Sequence, residues 1–193
     1  MPDPPPSPRP PRPPHPLLSP PAPPPRLTAR RLPAYRHVPG LTPHPVNHPE
    51  GHSHGRAEPP LAAAAVRLPE EWRGCEEYLY GADLYNRAFF WEAHEAWEAV
   101  WHAAGHGSIP GFFLQGLIQV AAGALKRHLE VTRGARSLEA KAARRLTDVA
   151  AWMKAEGWTE PVYMGVHLPP WRRRAGRYLR GESNRFPYLR LRD

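Results

Sequence analysis

FFWEAHEAWEAVWH, residues 89–102, is the stretch that decides the fold. Wound into a helix at about 100° per residue, it places Phe89, Phe90, Ala93, Trp97, Val100 and Trp101 on one arc. His94 sits at the edge of that arc, and Glu98, His102, Glu95 and Glu92 follow around the adjoining face. Two i,i+4 pairs result, His94 with Glu98 and Glu98 with His102. Gly105 and Gly107 stop the helix, because glycine tolerates the left-handed conformation that helix ends require. Ser108 and Pro110 then open another helix, which the pattern extends to about Arg133. With Phe112, Phe113, Leu114, Leu117, Ile118, Val120 and Leu125 it is apolar nearly all round, which predicts burial.

On the N-terminal side, Pro69, Glu70 and Glu71 suit a helix start, and the periodicity predicts a helix to about Tyr85. Asn86-Arg87-Ala88 is a tight reversal into the quoted stretch. Gly81 precedes Leu84 by three residues and Ala93 precedes Trp97 by four, the small and large positions of a tetratricopeptide-type hairpin. A single copy predicts one hairpin within a bundle, since arrays need about three. Gly134 separates a further amphipathic helix, about Ala135 to Lys154. Beyond Gly157, Pro161, Pro169 and Pro170 leave room for one short helix, Trp171 to Leu179. The predicted fold is all-α, a small helical bundle over residues 65–182 built around the hairpin, with Phe90, Ala93, Trp97, Trp101 and Gly116 in its core.

Composition divides the chain. Of 28 prolines, 22 fall in residues 1–60, where missing N–H groups and fixed φ favour extended polyproline conformations and predict a disordered tail. The tail also holds His37, His44, His48, His52 and His54, a tract able to bind metal adventitiously. Eight carboxylates lie between Glu70 and Glu98 against Arg73 and Arg87, whereas Trp171 to Asp193 contains eight arginines against Glu182 and Asp193. This sorting predicts internal complementarity, the basic C-terminus lying over the acidic hairpin, with residues 183–193 as a basic C-terminal tail. Arginine-led nucleic-acid binding is the weaker alternative, because no recognised motif accompanies the cluster. Cys75 is the one cysteine, so no internal disulfide forms. No signal-peptide pattern is present, and the uncharged run Ile109–Leu125 is short for a bilayer and contains two glutamines. A cytoplasmic protein without a membrane span is expected.

Two arrangements of the polar strip are compatible with the pattern. If the two central helices pack antiparallel, residues whose numbers sum to about 215 face one another, which brings Gln115 and Gln119 level with His94 and Glu98. Glu92, His94, Glu95, Glu98, His102, Gln115 and Gln119 then form a structural network, since a buried amide left unpaired costs roughly 1–3 kcal/mol. Alternatively His94 and Glu98, with Glu95, hold a divalent metal in a metal-binding protein or metal-dependent hydrolase. The zincin motif H-E-x-x-H is not matched, because position 98 is Glu. No serine-nucleophile motif, phosphate loop or dinucleotide fingerprint occurs. The leading expectation is a non-enzymatic helical domain that binds a small partner or another subunit, as a homo-oligomer or with a protein partner, through this hairpin.

The same residues carry a resemblance. FFWEAHEAWEAVW (89–101) followed by FLQGLIQVAAGAL (113–125) resembles the bacterial and archaeal family known as domain of unknown function 309, over about residues 70–150. The resemblance implies a small all-helical domain with motif positions at Glu92, Ala93, His94, Glu95, Glu98, Trp101, Gln115, Gly116 and Gln119. Two departures stand out: Asn86-Arg87-Ala88 lacks the family's turn glycine, and the turn near Gly134 lacks Gly-Asn. No activity comes with the family.

Overall fold

The computed structural model describes residues 20–55 and 67–192. It contains helices α1 (Glu76–Tyr85), α2 (Phe90–Ala104), α3 (Ile109–His128), α4 (Thr132–Ala155) and α5 (Leu168–Leu179), with strands β1 (Val162–Tyr163) and β2 (Val166–His167) before α5. The fold is all-α, the two strands forming only a minimal antiparallel hairpin. Met164 and Gly165 turn that hairpin at φ 45° and 76°, the doubly positive geometry that matches strand twist in two-residue loops.

Helix α3 packs on α2, α4 and α5, and Phe113, Leu114, Leu117, Ala121 and Ala124 are fully buried along it. It is long and apolar enough to cross a membrane by composition, but 61 % of that window is buried inside the protein. Ser108 caps it, its Oγ accepting the Gly111 N–H at 3.0 Å. Gly116 lets α4 approach: a Cβ there would stand 2.7 Å from Leu146 Cδ2.

The α1–α2 hairpin closes on one indole. Trp97 is fully buried, and its Nε1 donates to Tyr78 O at 3.1 Å. Gly81 lies beneath the ring, where a Cβ would come 2.3 Å from Nε1. Close packing of this kind tolerates no added methyl. The reversal after α1 has Ala88 at φ 62°, buried. The turn after α3 has Glu130 at φ 59°. Both departures from the family's turn pattern thus have a left-handed residue that is not glycine close by.

Several boundaries differ from the periodic reading. Pro69 does not begin α1; a single 3-10 turn, Trp72–Gly74, intervenes, and α1 starts at Glu76 with Glu77 beside it in the first turn. Gly134 does not break the chain. Helix α3 ends at His128, and Gly134 lies inside the first turn of α4. The left-handed break is at Glu130, a position marked by no glycine.

Parts of both expected tails are described. Residues 1–19 and 56–60 of the expected disordered tail lie outside the described residues, as does Asp193. Residues 20–55 form no helix or strand, as their prolines dictate, yet they are seated on the domain. His37 and Val38 are buried, and main-chain groups of Leu27, Thr28 and His37 bond carboxylates of α1 and α2. Residues 183–192 are seated on the domain as well. Leu189 is buried, and Asn86 exchanges two 2.8 Å hydrogen bonds with its main chain. The expected pairing of the C-terminal arginines with the hairpin is replaced by another. Arg180 binds Glu139 and Glu182, while the hairpin carboxylates Glu77 and Asp83 meet Arg30 and Arg26 of the N-terminal segment.

Candidate functional site

Helix α2 is locked on one side by Phe90, Ala93, Trp97 and Val100, each at most 2 % exposed. One residue further along, about 100° around the helix, stand His94 and Glu98. This rotation turns them outward. His94, Glu95 and Glu98 keep 28 %, 50 % and 38 % of their side-chain surface exposed. His94 Nδ1 lies 3.1 Å from Glu95 Oε1 and 3.9 Å from Glu98 Oε2, and one ligand atom from each residue falls within 4.8 Å of the others. The hydrogen bond with Glu95 raises the His94 pKa above the ordinary histidine value, against partial burial, with Glu98 adding to the rise.

The other strip residues go elsewhere. Gln115 and Gln119 do not bond His94 or Glu98; their Oε1 atoms are buried without a partner. Their level along the axis was legible, but the bond also needs the right azimuth, and the buried side of α2 is Ala93, Trp97 and Val100. His102 leaves the strip to bond His106 at 3.0 Å. Trp101 is half-buried rather than enclosed, stacked on His106 with ring centroids 3.9 Å apart. Gly116 lies inside against Leu146.

Glu92 also departs from the strip. It is 7 % exposed beneath the N-terminal segment, where Oε1 accepts the His37 N–H at 2.7 Å and lies 3.2 Å from His52 Nε2. Its Oε2 is buried with no hydrogen-bond partner. His37 and His44 both pack edge-on against Trp91, at 4.9 and 5.5 Å between centroids. The histidine tract is therefore docked on α2 through His37, His44 and His52. Burial lowers the His37 pKa, with Glu92 opposing.

One residue escaped the sequence reading. Asp83, in α1, is 1 % exposed and accepts the N–H groups of Leu27 and Thr28 and the Thr28 hydroxyl, all at 2.9 Å. Arg26 and Arg87 stand 3.8 and 3.6 Å away. The available signal was a carboxylate on an otherwise apolar turn, Ala82-Asp83-Leu84-Tyr85. Its partners lie more than fifty residues away, beyond the reach of any local pattern.

Chemically, the edge of α2 offers one imidazole and two carboxylates open to solvent. Ligands about 2.1 Å from a tetrahedral ion stand roughly 3.4 Å apart, close to the His94–Glu95 separation. An open depression of about 390 Å³ lies elsewhere, between Gly157–Glu160, Val162 and Arg192. No curated protein matches the chain. Residues 78–138, from α1 into α4, match the model of the family described as Domain of unknown function (DUF309), and the strip and the paired glutamines lie inside the matched stretch.

Proposed function

We propose that the protein is a helical binding domain that presents the edge of α2 to another protein subunit, without a catalytic step of its own. The supporting observation is the convergence of His94, Glu95 and Glu98 within 4.8 Å on a helix whose opposite side is immobilised by Trp97 and Gly81. A rigid, net-negative edge half open to water suits a cationic patch on a partner. Light scattering on the full chain and on a Glu95→Lys/Glu98→Lys variant tests self-association through this edge. The wild type is expected to form a dimer that the variant loses; equal masses for both would overturn the subunit reading.

The spacing of the same three ligand atoms favours a second reading, a divalent cation held at this edge. Melting curves of the full chain and of His94→Ala, with chelator and with zinc or manganese, separate the two. Binding to the folded state raises the melting temperature with ln(1 + [L]/Kd). Histidines of the N-terminal segment contribute equally in both proteins. The leading reading expects no difference in metal response; a shift that His94→Ala abolishes establishes the cation site instead.

A further inference from the structure

The N-terminal segment is held largely through its main chain. Most of its bonds run from helix side chains to its main chain. Asp83 accepts the Leu27 and Thr28 N–H groups and Glu92 accepts that of His37. Tyr80 Oη donates to Arg31 O at 2.8 Å and Arg87 to Pro24 O at 2.9 Å. Side chains that read the main chain of an extended segment are a means of peptide recognition, and proline-rich segments suit it because they lose little entropy on binding.

Side chains are read as well, the Thr28 hydroxyl by Asp83 at 2.9 Å among them. Arg30 pairs with Glu77 at 2.6 Å, and its guanidinium lies 4.3 Å from the Tyr80 ring centroid. Apolar anchoring is slight by comparison. Val38 and Pro45 are the buried apolar residues of the segment and Leu32 is partly buried, whereas Leu27 and Leu41 are 42 % and 50 % exposed. The core around Trp97 is closed by α1, α2 and α3 themselves. Over residues 22–37, hydrogen bonds and ion pairs are the main attachment of the segment.

We propose that the α1–α2 surface recognises an extended, arginine-bearing, proline-rich segment, that residues 22–37 occupy it as an exchangeable ligand, and that the same segment of a second copy of this chain binds there by exchange. This surface centres on Asp83, Tyr80 and Glu77 of α1, so the proposal stands apart from the His94 edge. Exchange of an identical element between protomers is a low-cost route to a dimer.

The test uses the full chain with a protease site inserted between Gly55 and Arg67, cut after folding. A fluorescent peptide of residues 20–40 is added and followed by anisotropy, with helicity followed by circular dichroism. The expected result is ready uptake by the cut protein, weaker and slower uptake by the uncut one, and unchanged helicity. A peptide carrying Thr28→Val and Arg30→Ala is expected to bind roughly tenfold more weakly or worse. This places the substitutions in the peptide, so the domain's own folding is untouched. Exchange between copies is read by mixing two batches of uncut chain, dye-labelled at Pro20→Cys and at Arg190→Cys, with energy transfer expected to grow on incubation. Loss of helicity as the segment leaves, failure of the peptide to enter, equal binding of the altered peptide, or no transfer between intact copies would each overturn the proposal.

Discussion

Asp83 and the pair Glu95 and Glu98 carry the same functional group on one hairpin, and their surroundings could hardly differ more. Asp83 is 1 % exposed, with three donors at 2.9 Å and two guanidinium groups within 4 Å. Glu95 and Glu98 are 50 % and 38 % exposed and share one imidazole. A carboxylate withdrawn from water is costly unless it is bonded, and Asp83 spends its whole bonding capacity on the N-terminal segment and Arg87. One that keeps its hydration remains available to a partner. Glu92 stands between them, buried like Asp83 but with only one of its two oxygens bonded.

The largest effect should come at the buried end. Asp83→Ala strands the main-chain N–H groups of Leu27 and Thr28 and leaves Arg87 without its carboxylate, and is expected to cost about 2–4 kcal/mol in urea unfolding. A change below about 1 kcal/mol would place Asp83 with the surface carboxylates and erase the contrast. Glu92→Gln keeps Oε1 for His37 and His52 while removing the charge that has one unpaired oxygen. Its stability should stay within about 1 kcal/mol of wild type. A loss as large as that of Asp83→Ala would mean that Oε2 is bonded in solution, and the intermediate character of Glu92 would disappear.

The smallest effect lies at the exposed end and depends on pH. The His94 pKa is raised in the folded state, so folding favours the protonated ring. That contribution is complete below the unfolded histidine pKa of about 6.5 and fades as pH rises through the folded value. Melting of wild type and His94→Ala at pH 5.5 and 8.5 should differ more at the lower pH, by less than about 1 kcal/mol because the cluster is screened by water. An equal or inverted difference would show that the carboxylates do not stabilise the imidazolium.

Much of the helical architecture was legible from residues 76–155, because each helix contributes its own periodic face and its own caps. Gly81, Ala93 and Trp97 were readable as a packing set because the spacing of small and large residues is itself local. Glu98 was readable as a neighbour of His94 for the same reason. The bonds expected for Gln115 and Gln119 failed at the next level, where height along two helices must be combined with rotation about each. The turn at Glu130 was missed because a left-handed residue without glycine leaves no mark in composition.

The all-α fold, the buried α3 and the α1–α2 hairpin follow from 3.6-residue periodicity, a property of neighbours along the chain. Asp83, Glu92 and the docked histidines acquire their character from partners 40 to 56 residues distant. Proline content correctly denies the N-terminal segment a helix or strand, but it says nothing about main-chain N–H groups offered to a carboxylate on another element. Whether a carboxylate is a structural anchor or an open binding group is set by how much water it retains, and that quantity exists only once the chain has closed around it.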